Sequence, residues 1–480
     1  MMTKIFTIFL LIFYCLVLTG CRTRVNMKVL IRMIDQQGQF FKEKIVAGFV
    51  DKNNSDIEVI TYNNVDSIDF ELDKFVNEIG LVKVPFEKSW SLVRKDYIMP
   101  LDSFLNEDEL NEFNKTFILT SLGNSKNKQY FIPRKFETRL MVYLQSKVVD
   151  AVSIWRKYRN EIQEDLKKFN GTGLPATYIL ESDPNEWNYF DIFVVGWIWA
   201  HTPYNGRISA RIAHRGKKYS GTSHRVIDRV FQCNGDSADV INLQGDAVID
   251  AFHWEAVYAA SGIYNEKMWK ESWSGSGVWK GFQDGEVFLS FMTQLDCFFI
   301  HGTGHKGLKG YLTNPDDFGV ATMPMGCSVE LSSTGKIKRV GRKAITTGGW
   351  WWGIPKTTPD PHLSYKFARH IISMENQVQG CSRFGMIPVR KDVLIDMQML
   401  FGGEWISEIY NVSFKQLMYN KTTIVPSHPR FNEIGHIYLD AWFDIVVGKN
   451  WSDNKSIPDR IFIQRYINEK YVPKINNINY

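Results

Sequence analysis

The chain has 480 residues, 44% hydrophobic and 23% charged, and its 57 Lys+Arg against 52 Asp+Glu leave a net charge of +5. That length exceeds what one core usually serves, so two domains or lobes are expected, and the balance is that of a globular chain, not a disordered or membrane-spanning one. No block of like charge stands out, which argues against nucleic acid as a partner. The anomaly is the 15 Trp.

Lys4 precedes an apolar run from Ile5 to Leu18, interrupted only by Thr7, and the run ends in Leu18-Thr19-Gly20-Cys21. A short positive region, an apolar stretch and small residues before a cut describe a secretory signal. The run is too short to span a membrane comfortably, and Arg22 and Arg24 follow at once. The residues LTGC resemble the lipobox of bacterial lipoproteins. This implies a signal peptide over residues 1–20, acylation of Cys21, and a lipid-anchored protein on the extracytoplasmic face or in the periplasm. Cys15 is a poorer acceptor because bulky Tyr14 precedes it; an uncleaved anchor helix is the alternative, and in either case the protein is exported. The remaining cysteines, Cys233, Cys297, Cys327 and Cys381, form no C-x-x-C pair and read as buried free thiols.

After Asn26 the pattern alternates. KVLIRMI (Lys28 to Ile34) predicts a strand, and the stretch Gln37 to Val50 a helix with Phe40, Phe41, Ile45 and Phe49 on one face. Ile57 to Tyr62 reads as a second strand, SIDFELDKFVNEI (Ser67 to Ile79) as a helix, and LVKVPF (Leu81 to Phe86) as a third strand. Strands alternating with helices imply a parallel sheet covered on both faces, with ligands bound beyond the carboxyl ends of its strands. A long helical stretch spans Val148 to Phe169. A second α/β region follows through SHRVIDRVFQ, DAVIDAFHWEAVYAASG and EVFLSFMTQLDCFFIHG. The chain then returns to a strand-like AITTGGWWWGIP (Ala344 to Pro355), a helix from Pro361, and the turn RFGMIPVRKDVL. No repeat or low-complexity linker appears, as expected of two lobes joined by more than one crossover.

Taken in order, the lipobox, WSLVRKDYIMPLDSFL (Trp90 to Leu105), YFIPRKFET, WKGFQDGEVFLSFMTQ (Trp279 to Gln294), GVATMP and FGMIPVRKDVL resemble the carbohydrate-type extracellular solute-binding proteins of ABC importers. The resemblance covers nearly the whole mature chain. It implies an α/β, two-lobed periplasmic-binding-protein-like fold of type II, with a ligand cleft between the lobes and hinge crossovers. It further implies a monomeric binder, without cofactor or metal, that hands a solute such as a sugar to permease subunits. The expected lobes are 27–137 plus 348–392, and 138–347 plus 393–480. The region Trp197 to Gly221 departs from the family pattern in its richness in Trp, His and Arg.

The resemblance implies crossovers that set Lys135, Glu137, Thr293, Gln294 and the Trp350 region near the cleft floor. Aromatic rings stack on the apolar faces of sugar rings while polar groups bind the rim, as small-ligand clefts generally require. Strand alternation sets Trp350 and Trp352 on one face and Trp351 on the other, so at least one of the three belongs to the core. Trp350 or Trp351 is expected to stack on the solute. Trp90, beyond the third strand, Trp197 and Trp254 are further candidate walls. For Trp254 core burial is an equal alternative, and one of Trp197 and Trp199 is expected in the core. Lys135 and Glu137 could equally form a surface ion pair.

GTGHKG (Gly302 to Gly307) matches a dinucleotide fingerprint, but no helix pattern follows it. His301 and His305 have metal-ligand spacing, yet glycines separate them. DKNNSD (Asp51 to Asp56) lacks the glycine and closing Glu of a calcium loop, and Ser276 lacks a nucleophile elbow. The rival function is a surface-anchored glycan-acting enzyme, which needs two carboxylates across a cleft; Glu255, Glu286 and Asp296 are nominal candidates.

Overall fold

The computed structural model describes residues 25–480 except 54, 119, 205–206, 209, 303–307, 347, 394–403, 420–427 and 480. The N-terminal apolar run with Cys21, and most of GTGHKG, lie outside the described residues.

The first sheet grows from the alternation read in the sequence. Strands β1 (Val25–Ile31), β2 (Ser55–Thr61) and β3 (Ile79–Pro85) are parallel, in the order β2-β1-β3. Helix α1 links the first two. It runs as Asp35–Phe40, a π-helical turn Phe41–Val46, and Ala47–Asn53, and it buries Phe41, Ile45 and Phe49 against the sheet. The next helix is shorter than the periodicity predicts, Ile68–Lys74 instead of reaching Ile79. Asn77 takes a left-handed φ of 63°, which ends helical geometry and turns the chain into β3. Two later strands, β4 (Phe131–Glu137) and β9 (Gly348–Gly353), complete the sheet as β2-β1-β3-β9-β4, with β9 antiparallel to both neighbours.

A second sheet has the order β6-β7-β5-β8, made of β5 (Arg139–Leu144), β6 (Arg211–Ala213), β7 (Val287–Thr293) and β8 (Phe318–Ala321). The apolar run around Trp197 is a helix, α3 (Tyr189–His201), capped by a reciprocal Asn188–Asp191 box and almost wholly buried. It packs with α4 (Ser220–Gln232) and α5 (Asp246–Ala260) in the core of this second lobe. Only Thr138 separates β4 in one sheet from β5 in the other. The chain recrosses between β8 and β9. These two crossings bring the ends of β4, β9 and β7 to one place, where the candidate site lies. Among the described residues no helix is long and apolar enough to cross a membrane.

Candidate functional site

A cavity of about 420 Å3 opens between the two sheets. From the first sheet side it is lined by Arg32, Gln37, Lys83, Lys135, Glu137 and Trp350, and from the other by Arg139, Arg215, Tyr219, Trp279, Thr293 and Asp296. Its volume falls in the range of small-ligand sites.

The floor is set by how β9 meets β4. Trp350 pairs with Lys135 and Gly348 with Glu137, with a bulge between Trp350 and Trp351. A side chain at Gly349 would collide with the Lys135 carbonyl oxygen, so glycine is needed for this approach. Lys135 donates to Glu137 at 2.6 Å, and Trp350 gives its indole N–H to the same carboxylate oxygen at 3.1 Å. Burial pushes the Glu137 carboxyl up, but Lys135, with Arg215 and Lys83 beyond it, outweighs that and holds it at about 2.

Across the cavity, Thr293 caps α7 (Gln294–His301) in a reciprocal box with Asp296. Asp296 also accepts from Arg215 at 2.5 Å and from the indole N–H of Trp279 at 3.0 Å. Trp279, on α6 (Gly275–Gln283), stacks on Phe299 at 5.3 Å and so is held rigidly. Arg139 ties the crossing together. Its guanidinium reaches Asp228 of α4 at 2.8 Å and Thr346, just before β9, at 3.0 Å. At the cavity rim His224 of α4 faces Glu87 of α2 (Phe86–Arg94) at 3.4 Å, so that pair spans the two lobes.

Two cations on the first-lobe wall differ from these. Lys83 is buried, donates to the Arg32 backbone carbonyl at 2.6 Å, and lies 4.1 Å from the centre of the Trp350 ring. Burial, then Lys135 and Arg134, push its ammonium well below the ordinary lysine range. The half-buried Arg32 guanidinium has no carboxylate partner among the described residues.

Of the residues expected from sequence, the structure brings Lys135, Glu137, Thr293 and Trp350 to this cavity. Five expected contacts are placed elsewhere. Trp351 points through the sheet, against Phe86 and Phe136, because it alternates with Trp350. Trp90 turns into the first-lobe core against Tyr130 and Phe131, since α2 begins at once after Pro85 and carries it away from the strand end. Trp254 is fully buried and donates to the Cys327 carbonyl at 2.7 Å. Trp197 is buried on α3, donates to Asp165 at 3.0 Å and stacks on His201. Gln294 is buried too; its amide oxygen accepts from the Thr138 N–H at 2.9 Å and steadies the crossover without lining the cavity.

Sequence reasoning missed Arg32, Lys83, Arg139, Arg215, Tyr219 and Trp279 as lining groups. Arg215 and Tyr219 fall in the segment whose His and Arg content departs from the family pattern, which was the available signal. The nominal catalytic carboxylates do not face one another. Glu255 is wholly buried, held by Arg225 at 2.7 Å, Arg229 at 3.0 Å, and the hydroxyl of Tyr264. Glu286 pairs with Lys267 outside the cavity. Among the described residues no group of three or more His, Cys, Asp or Glu could hold a metal.

The chain belongs to the bacterial extracellular solute-binding proteins, whose family pattern matches residues 81–399. It is therefore an exported solute-binding protein. Its two-lobed fold is similar to maltose-bound MalE3 of T. maritima, at 13% identity and a TM-score of 0.67, covering 95% of this chain and 100% of that one. The GacH receptor of Streptomyces glaucescens, determined unliganded and with acarbose, gives 12% identity and a TM-score of 0.65 over 94% and 100% of the two chains. MalX from Streptococcus pneumoniae, in complex with maltopentaose, gives 16% and 0.60 over 95% and 100%. No curated protein matches the chain in sequence.

Proposed function

We propose that this protein is the substrate-binding component of an ABC importer, capturing a sugar or oligosaccharide outside the membrane and delivering it to permease subunits. The observation that carries the reading is the cavity at the crossovers, with Trp350 and Trp279 as rigid aromatic walls and hydrogen-bonding side chains between them. The sugars named for MalE3, GacH and MalX support it. In this reading lobe 1 is 27–137 plus 348–392 and lobe 2 is 138–347 plus 393–480, closing by rotation about the crossovers. The His224–Glu87 pair then forms as the lobes meet. The protein acts as a monomer held to the membrane through an acylated Cys21.

Binding without turnover fits better than the glycan-acting alternative. A glycosidase needs one carboxyl raised to act as acid, whereas Glu137 is held at about 2 and Asp296 is committed to Thr293, Arg215 and Trp279. The test is to incubate the protein with mono- and oligosaccharides, following its melting temperature and the sugar by chromatography. A raised melting temperature with intact sugar supports the binder. Release of shorter sugars would overturn it.

A further inference from the structure

Two basic side chains at the cavity have no carboxylate ion-pair partner among the described residues. Lys135 is paired with Glu137, Arg215 with Asp296, Arg139 with Asp228, and Glu87 faces His224. Arg32 and Lys83 remain, side by side on the first-lobe wall, with no carboxylate against either among the described residues. Lys83 hydrogen-bonds one backbone carbonyl and lies over the Trp350 ring, and the carboxylate whose charge reaches it, Glu137, is itself bonded to Lys135. Next to them the Gln37 side chain is buried with its amide N–H donors unpartnered, and it lines the same cavity. The Nε of Arg215 is likewise buried and unpartnered. Gln37 and Arg215 thus offer unused donors beside the two basic side chains, and the buried Nδ1 of His224 at the rim is unpartnered as well.

A buried, unpaired charge is costly unless a partner arrives. A neutral sugar offers hydroxyls that both donate and accept, and it would leave Arg32 without a counter-charge and Lys83 pushed toward its neutral form. An anion would satisfy both, through charge-assisted hydrogen bonds that are shorter and stronger than neutral ones. We propose that the captured solute is an acidic sugar, bearing a carboxylate, sulfate or phosphate group that seats against Arg32, Lys83 and Gln37. This rests on the carbohydrate reading and sharpens it. The aromatic wall of Trp350, adjoining Lys83, places a sugar ring and its acidic substituent within reach of one another. The cavity is not general for anions, because Glu137 on this same wall and Asp296 across from it repel a molecule charged on all faces.

The test uses matched pairs in calorimetric titrations of the mature protein: glucuronate against glucose, N-acetylglucosamine 6-sulfate against N-acetylglucosamine, and glucose 6-phosphate against glucose. Inorganic sulfate is the control. We expect at least one acidic member to bind about tenfold or more tighter than its neutral partner, the ratio of one charge-assisted hydrogen bond. That advantage should shrink with added salt. Arg32→Gln and Lys83→Met should each bring the ratio toward one. Arg32 is only half buried, so its variant carries the test if Lys83→Met fails to fold. Neutral sugars binding as tightly as acidic ones would overturn this inference and leave the carbohydrate reading intact. Sulfate binding with no sugar binding would overturn the carbohydrate reading and leave the anion site standing. Binding of none of these probes would overturn both.

Discussion

Trp350 hands its indole N–H to Glu137 across 3.1 Å, linking strands β9 and β4 where the chain crosses between the lobes. The ring is thereby fixed at the cavity, while its neighbour Trp351 is packed on the opposite face of the sheet. The two residues should respond differently to truncation. Saturating ligand at about a hundred times its Kd adds roughly 2.7 kcal/mol to the stability of the wild type. Trp350→Ala should remove most of that gain and lower the unliganded stability little. Trp351→Ala should cost about 3–5 kcal/mol with or without ligand. Urea unfolding of both variants with and without the bound sugar checks this; equal ligand-independent losses would show that Trp350 serves the core alone.

Glu137 and Lys135 should make a pH-dependent contribution of known sign. A carboxyl held at about 2 in the fold is stabilising above the ordinary glutamate range and loses that contribution as pH falls from about 4.5 toward 2. Lys135→Met should raise the Glu137 carboxyl, read by NMR titration of its carboxyl carbon, and weaken ligand binding near neutral pH. An unchanged titration would show that the pair at 2.6 Å is not what holds it down.

His253 should set the acid limit of the second lobe. It is buried on α5 with both ring nitrogens unpartnered, and burial lowers it to about 4 despite the nearby Asp250. The unfolded chain then binds the proton first, so stability falls as pH drops from about 6.5 to 4, by on the order of 3 kcal/mol. His214, also buried and pushed down, adds in the same direction. His253→Phe should flatten the pH slope of the unfolding free energy between 6.5 and 4. A slope unchanged by the substitution would assign acid sensitivity elsewhere.

Cys233, Cys297, Cys327 and Cys381 are buried and free. A thiol reagent should label none of them in the native protein and all four in denaturant, even after isolation from an oxidising compartment. Mass spectrometry of the unreduced protein showing a Cys297–Cys381 bond would contradict the structure.

The anchor is tested at Cys21. In the native host the mature N-terminus should be an acylated Cys21, since stable anchoring takes more than one chain. Cys21→Ala should yield unprocessed or released protein. An unmodified peptide running from Gly20 through Cys21 would rule the anchor out.

Local pattern was enough for several features of this chain. The period-2 and period-3.6 alternation from Lys28 to Pro85 is a property of neighbouring residues, so β1, α1, β2 and β3 were legible without any knowledge of the fold. The opposite faces of Trp350 and Trp351 follow from the same alternation, and the ordered motifs pointed to the family that residues 81–399 match. Which ring meets the cavity was a different matter. Trp90, Trp197 and Trp254 carry no local mark separating a cleft wall from a core residue, because each is an apolar side chain on a helix and its burial depends on what packs over it. Lys83 shows the limit most clearly. In LVKVP it is a lone polar residue in an apolar strand, and it gains a role only because β9, some 265 residues later, lays Trp350 over it and Arg32, the residue after β1, presents its carbonyl. Long-range pairing of strands, not composition, put the unpaired cations, the aromatic ring and the buried amide of Gln37 around one cavity.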